Sequence, residues 1–427
     1  MHSSFWDMLA SALWLPLLAI AVLLALSIWS IRRHRNPKLN IDCDTPIDQM
    51  MLSLAGLTHG TALEGNAVEI LENADFFDAL VEEIRAAKHS VHFETFLWQE
   101  GVAGKRVADA LCDAARSGRK VRVMLDAIGA RKIGKAVRKC MDEAGCHVAF
   151  FHRKGFHNIG VLNDRDHRKL AIMDGCVAIV GGHCVKDEWL GSPEDGEHYG
   201  DLSVRLRGPI VRSIQSAFAE NWIAETGLLF LGDEVFPPLE PAGDALIHAA
   251  FVKPEGSPPA VKILHHAAIC LARKRIWIQN PYFIPEPETI DAFGKAVQRG
   301  VDVRVILPAT HASDNPLVQH ASHRNFEKLL KNGVRLFEFP DTLLHQKVMT
   351  IDGIWSAIGS SNFDDRSFET NDEITLGIKD EAIAQQLDAI FERYAKRCRE
   401  IRLEQWGRRS PRHKLLDHAC YLLNEVL

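Results

Sequence analysis

What the chain lacks narrows it first. There is no basic surplus: 50 Lys and Arg stand against 56 Asp and Glu, a net charge of −6, where a dedicated nucleic-acid binder carries a positive excess. There is no CxxC pair. The nine cysteines are scattered and odd in number, which argues against a secreted disulfide scaffold and suits a reducing compartment. No HExxH-type spacing among the 20 histidines marks a zinc site. The 29 Gly and 18 Pro in 427 residues exclude a collagen, and 47% hydrophobic with 25% charged residues is the balance of a globular chain. At about 150 residues per domain, the length holds two or three domains.

Charge is also missing locally. From Met8 to Ile31 no residue is charged. As a helix the run would be about 36 Å long, enough for a hydrocarbon core of about 30 Å. Trp6, Trp14 and Trp29 lie near its ends, where indoles favour the interface. Pro16 is tolerated when neighbours satisfy the carbonyl it frees. The run is too long, and its N-terminal flank too poor in Lys and Arg, for a cleaved signal peptide. Arg32, Arg33, Arg35 and Lys38 follow it, and only Asp7 precedes it. The positive-inside rule therefore predicts a single-pass anchor over 8–31 in the inner (cytoplasmic) membrane, with everything after it on the cytoplasmic side. No later run is long and apolar enough to span.

The remainder repeats itself. Val121–Leu125 (VRVML) and Val303–Leu307 (VRVIL) are matching β-branched runs. Each follows a helical stretch, Val107–Ser117 before Gly118 and Thr289–Gln298 before Gly300. Ser90–Trp98 and Arg275–Phe283 read as buried strands upstream of them, and Ala144–Phe151 and Asn332–Phe339 as Gly-then-strand segments downstream. Strands alternating with helices of 10–15 residues predict βαβ units and a mixed, mostly parallel sheet flanked by helices. The period of about 180 residues means a duplicated α/β domain, far longer than a solenoid repeat. The expected organisation is an anchor over 8–31, a first domain over 60–231, a second over 245–400, and a C-terminal segment over 401–427. A linker rich in Pro, Gly and Glu falls at Gly232–Pro259.

Each half carries the pattern HxKxxxxD: His167-Arg168-Lys169 running to Asp174, and His345-Gln346-Lys347 running to Asp352. Glycine follows seven residues after each Asp, as Gly181-Gly182 and as Gly359-Ser360-Ser361-Asn362. In a strand, positions i and i+2 share a face, so each His points with its Lys into one pocket. Two such halves about a pseudo-twofold axis would join two imidazoles and two ammoniums into a metal-free site for a phosphodiester. The ammoniums neutralise the non-bridging oxygens. One imidazole attacks phosphorus, and the other protonates the leaving alkoxide and later deprotonates the acceptor. Each motif Asp, or another carboxylate, can hold an imidazole in the required tautomer. Asp201 and Glu373 are candidates for that second role.

At these residues the chain resembles the phospholipase D superfamily, whose signature is the duplicated HKD motif, and within it the bacterial cardiolipin synthases. Leu206-Arg207-Gly208-Pro209-Ile210-Val211, Asp187-Glu188-Trp189-Leu190 and Asn280-Pro281-Tyr282-Phe283-Ile284-Pro285 are similar to elements of those enzymes, as is Phe363 to Glu373 after the second motif. The resemblance runs from about Gly65 to Arg399. It implies two phospholipase D-like domains and phosphatidyl transfer between two phosphatidylglycerols, giving cardiolipin and glycerol through a phosphohistidine without a cofactor. His167, Lys169, Asp174, His345, Lys347 and Asp352 take the catalytic roles by direct match, with His167 as nucleophile. Gly359, Ser360 and Asn362 match supporting residues at the substrate. Cys184 stands where the family usually has Asn, and a thiol is a poorer hydrogen-bond partner.

From Arg393 to Lys414 nine Lys and Arg face only Glu400 and Glu404, and Leu415, Leu416, Ala419, Cys420, Leu422, Leu423, Val426 and Leu427 follow at helical spacing. A basic stretch leading into an amphipathic helix suits an anionic leaflet; a helix packed on the domain with a solvated basic face fits the same pattern equally well. Phe93-Glu94-Thr95-Phe96 is a candidate pocket lining, although aromatics beside a strand end are more often simply core. His265, His266, His311, His320 and His323 read as core or solvated residues, although His320 and His323 share a helix face. The expected partners are a phospholipid and the membrane, with no nucleic acid. A hydrolase using water as acceptor keeps the same site. A nuclease lacks the basic surplus, and a relic scaffold lacks a broken motif.

Overall fold

The computed structural model describes residues 14, 16–23, 38–151, 164–252 and 259–421. Residues 1–40 and 41–427 are two compact units. In the first, Trp14 and residues 16–23 are helical and exposed. The rest of the anchor predicted over 8–31 lies outside the described residues. Among the described residues no helix is long and apolar enough to cross a membrane.

In the second unit the strands join in one fifteen-stranded sheet. The first half contributes β1 (Thr61–Glu72), β2 (Ser90–Thr95), β3 (Lys120–Asp126), β4 (His147–Phe151), β5 (Leu170–Met173), β6 (Val177–Gly181) and β7 (Leu202–Arg207). The second contributes β8 (Ala245–Val252), β9 (Arg275–Gln279), β10 (Asp302–Pro308), β11 (Arg335–Phe339), β12 (Val348–Ile351), β13 (Trp355–Gly359), β14 (Glu373–Lys379) and β15 (Arg399–Ile401). From the middle outward the order is β1-β7-β6-β5-β2-β3-β4 on one side and β8-β14-β13-β12-β9-β10-β11-β15 on the other. The repeat read from the sequence is thus a repeat of topology. Strand β1 joins the halves: Thr61 to Asn66 pair with β8, and Ala67 to Glu72 pair with β7, with a register shift between Leu63 and Asn66.

Only β2, β3 and β4, and β9, β10 and β11, run parallel to their neighbours. Those are the strands joined by helical crossovers, Val102–Arg116 and Lys135–Ala144 in the first half, Pro287–Gln298 and Pro316–Lys331 in the second. Every other pairing in the sheet is antiparallel. The expected mostly parallel sheet is corrected accordingly. The motif strands return through tight hairpins, which reverse direction where a helix would have preserved it. The expected linker at Gly232–Pro259 is corrected too, because β8 lies inside it with Ile247, Ala249 and Ala250 fully buried. Its flanking Pro and Gly bound the strand; they do not extend into it.

The crossover helices are amphipathic at the 3.6-residue period. Val102–Arg116, for example, buries Ala103, Val107, Ala108, Ala110, Leu111 and Ala114. One apolar core runs across both halves, joining Leu170, Ile172, Val180 and Val204 to Trp277, Ile306, Ile358 and Leu376. The C-terminal segment forms β15 and the helices Leu403–Gly407 and Pro411–Tyr421. Cys420 packs with Ile284, Val318 and Ala321, while Leu415 and Leu416 remain exposed. Residues 422–427 lie outside the described residues.

Candidate active site

Each His-x-Lys lies immediately ahead of a strand, His167-Arg168-Lys169 before β5 and His345-Gln346-Lys347 before β12. Main-chain bridges between the halves aim them. The His167 N–H donates to the Asp372 carbonyl (3.0 Å) and the Asp372 N–H to the Arg165 carbonyl (2.8 Å). In the other copy the His345 N–H donates to the Gly200 carbonyl (2.7 Å) and the Gly200 N–H to the Leu343 carbonyl (2.9 Å). The residues after Asp372 and Gly200 are Glu373 and Asp201. Each bridge therefore sets a carboxylate of one half beside the imidazole of the other.

His167 Nδ1 lies 2.8 Å from Glu373 Oε1, and His345 Nδ1 lies 2.7 Å from Asp201 Oδ2. For His167, a neutral imidazole held this way keeps its proton on Nδ1 and offers a bare Nε2, whereas His345 Nδ1 is shared between Asp201 and Lys347 Nζ, 2.8 Å away. Lys169 Nζ donates to the carbonyl of His167 (2.6 Å) and Lys347 Nζ to that of His345 (2.5 Å). Phe96 stands edge-on to His167 at 5.1 Å, and Trp189 edge-on to His345 at 5.3 Å. All four imidazole and ammonium side chains are buried, as are both carboxylates.

Burial governs the charges here. It lowers the His167 imidazolium well below the usual range, and the Lys169 and Lys347 ammoniums push the same way. Burial and Lys347 also lower His345, against the pull of Asp201. Burial brings the Lys347 ammonium down to about 8. The carboxylates part company. Burial raises Glu373 to about 7 against the opposing pull of Lys169. For Asp201, burial is outweighed by the His345 imidazole, its hydrogen bond and Lys347, which bring the carboxyl down to about 2.

The motif aspartates are not brought to the imidazoles, and the expectation that either holds an imidazole in its tautomer is corrected. Asp174 accepts from the backbone N–H groups of Lys88, His89 and Ser90 at 2.7, 2.7 and 2.8 Å. Asp352 accepts from those of Arg273, Lys274 and Arg275 at 2.9, 2.7 and 2.9 Å. Each lies at the end of its strand remote from the His, in a left-handed conformation (φ 54° and 57°) followed by a left-handed glycine, Gly175 or Gly353. The Cys176 N–H closes one turn onto the Met173 carbonyl and the Ile354 N–H closes the other onto Ile351. The Asp-Gly pair is the hairpin signal that explains both positions. These aspartates build the turn and hold the start of the neighbouring strand.

The other expected residues gather around the carboxylates. Ser360 Oγ donates to Glu373 Oε2. A Cβ on Gly359 would stand 2.1 Å from the Ile374 carbonyl oxygen, so the strand approach requires glycine. The Asn362 N–H donates to Ser367 Oγ (3.1 Å), and Ser367 also supports Glu373. Cys184, at the position equivalent to Asn362, is buried, and its thiol is raised by burial against the pull of Lys169. Trp189 was not singled out beyond its tetrapeptide, yet its indole N–H donates to Asp201 Oδ2 (3.0 Å), the oxygen that faces His345. No local pattern signals that contact, since Asp201 lies twelve residues downstream. Arg168, between His167 and Lys169, is fully buried, donating to the Ala217 carbonyl (2.9 Å) and pairing with Glu220.

The chain is similar to known proteins over most of its length. The family model described as "Cardiolipin synthase, PLD-like domain" matches residues 80–190 and 266–395. Cardiolipin synthase A of Pseudomonas putida (strain GB-1) is 34% identical over 367 residues, which cover 83% of this chain and 76% of the relative. Cardiolipin synthase 2 of Bacillus anthracis is 31% identical over 364 residues, covering 84% and 70%. Among solved structures, phosphatidylserine synthase of Haemophilus influenzae Rd KW20 shares the fold at a TM-score of 0.67 and 15% identity, covering 89% of this chain and 100% of its own.

Proposed function

Because the chain belongs to the phospholipase D-like family of cardiolipin synthases, we propose that it transfers the phosphatidyl group of one phosphatidylglycerol to a second, releasing glycerol. The observation that carries this reading is the crossed pair of imidazole–carboxylate contacts, with a lysine ammonium beside each. His167 is assigned as the nucleophile, because burial and two ammoniums lower it well below the usual range, whereas Asp201 pulls against the lowering of His345. Its Nε2 attacks phosphorus while the bond to the glycerol oxygen breaks, and the departing alkoxide takes a proton from His345. The ionised Asp201 stabilises the His345 imidazolium that supplies it. The hydroxyl of the second phosphatidylglycerol then gives its proton to His345 and attacks the phosphohistidine. The P–N bond breaks, and both imidazoles return to their starting state. The repeats over 60–231 and 245–400 each supply one imidazole and the other's carboxylate.

The uncharged run over 8–31 with the basic flank behind it supports an inner-membrane anchor with the catalytic body on the cytoplasmic side. Purified protein in phosphatidylglycerol vesicles, with products read by mass spectrometry, tests the reading. Cardiolipin with free glycerol, absent in His167→Ala and His345→Ala, is the expected result. Phosphatidic acid without cardiolipin would make water the acceptor and the protein a hydrolase.

A further inference from the structure

The helix Pro411–Tyr421 packs on the helix Pro316–Lys331 through polar atoms. Asp417, 1% exposed, directs Oδ1 at His320 Nδ1 (2.9 Å) and at His323 Nδ1 (3.7 Å). Its Oδ2 accepts from Arg409 Nη1 (2.8 Å). His320 and His323, at i and i+3, share one face of their helix. The His323 ring is fixed edge-on between Phe326 and Trp406, 5.0 Å from each, and the His320 ring stands edge-on to it at 5.6 Å. The three donor atoms lie within 4.8 Å of one another.

We infer that His320, His323 and Asp417 form a site for a divalent transition-metal ion of the zinc class, joining the C-terminal helix to the catalytic body. Two ligands bonded to a tetrahedral ion at about 2.0–2.1 Å stand about 3.3 Å apart, and the two N···O distances bracket that separation. A hydrogen bond explains the shorter one. At 3.7 Å the His323 nitrogen is beyond hydrogen-bond length but within ion-pair range of the same oxygen, so one carboxylate oxygen already gathers both Nδ1 atoms. Two imidazoles with one carboxylate suit zinc, whereas magnesium and calcium take oxygen ligands throughout. Arg409 on the far oxygen is the outer contact that orients a ligating carboxylate. The guanidinium also opposes a dication, so the ion is one that exchanges with the medium. The fourth position is left for water. None of these residues belongs to the transfer site, so the inference stands apart from the proposed reaction.

The test uses the full chain in detergent micelles, freed of metal by dialysis. Zinc is titrated against a chromophoric chelator for the wild type, His320→Gln, His323→Gln and Asp417→Asn, each checked for folding by circular dichroism. One ion per chain in the wild type, with affinity at least tenfold weaker in each variant, is the expected result. Cobalt is expected to give a visible d–d band in the wild type that His323→Gln lacks. Zinc should also slow backbone hydrogen exchange across Pro411–Tyr421 in the wild type alone. A wild type that binds no zinc, or a His323→Gln protein that binds it equally well, overturns the site. So does zinc binding that leaves exchange in that helix unchanged.

Discussion

The two halves of the sheet share strand order, hairpin and His-x-Lys geometry, yet the carboxylates behind their imidazoles are built differently. In the first half Gly182 faces Asp201, and a Cβ there would stand 2.2 Å from Oδ1. In the second, Ser360 occupies the equivalent place and donates to a side chain one methylene longer, Glu373. Asp201 is gripped by the Trp189 indole and stays ionised at about 2. Glu373, more weakly charged, is raised to about 7. Two copies of one scaffold thus favour different protonation states, as the proposed nucleophile and general acid would require. Pairs of titratable groups pushed apart by their surroundings are how such roles are divided.

The comparison is broken most sharply at the imidazoles. On lipid, His167→Ala should lose about 10⁴-fold or more, and His345→Ala about 10²–10⁴-fold. A phosphodiester with a nitrophenolate leaving group needs no proton at departure, so His345→Ala should recover a burst of nitrophenol that His167→Ala lacks. A burst from His167→Ala instead would exchange the two roles. One step down, Asp201→Asn removes an ionised partner and should cost about 100-fold in kcat, while Glu373→Gln, replacing a carboxyl already near neutrality, should cost about tenfold. Equal losses would remove the asymmetry.

The pH dependence sharpens the same contrast. Lys347 is needed as an ammonium and is lowered to about 8, so kcat/KM should fall as pH rises through about 8. Glu373 is raised from its ordinary 4.5 to about 7. Its stabilising share is full below 4.5 and is lost as pH rises through 7, roughly 3 kcal/mol in all. Asp201 acts in the opposite sense: its share is present above 3.8 and fades as pH falls toward 2. Urea unfolding across pH 4 to 8 should show a slope that Glu373→Gln flattens. The smallest effect on turnover belongs to Asp174→Ala and Asp352→Ala. Each gives up three backbone hydrogen bonds and should lower stability by about 2–4 kcal/mol, with kcat per folded molecule within about threefold of wild type. An activity loss on the scale of the histidine variants, in fully folded protein, would return these aspartates to the chemistry.

Much of this was legible in the chain. The strands VRVML and VRVIL and the helices before them lie where local pattern places them, because period and spacing are local properties, while each His-x-Lys stands just ahead of the strand expected to hold it. The misreadings were of longer range. Asp174 and Asp352 were grouped with the chemistry because they close the motif, although the Asp-Gly pair beside each already spelled a hairpin. Asp201 and Glu373 stand out in the sequence only as candidates, since the imidazole–carboxylate contacts join residues 144 and 206 positions apart. The parallel expectation failed beyond the crossovers, because repeated βα pattern says nothing of how the remaining strands return. His320 and His323 are half-buried and core histidines as their pattern suggests, but their common partner Asp417, 97 residues downstream of the first, is not legible from it.

The crossed carboxylates also bear on separability. A polypeptide of half this length, with one His-x-Lys and one carboxylate, would complete the site only once a second copy of itself packed about a twofold axis, and both pairs would then be identical, because one gene would write both. In one chain the two pairs are free to differ, as Gly182 with Asp201 and Ser360 with Glu373 do. Neither half is complete alone, since each carries the anion that the other's histidine contacts.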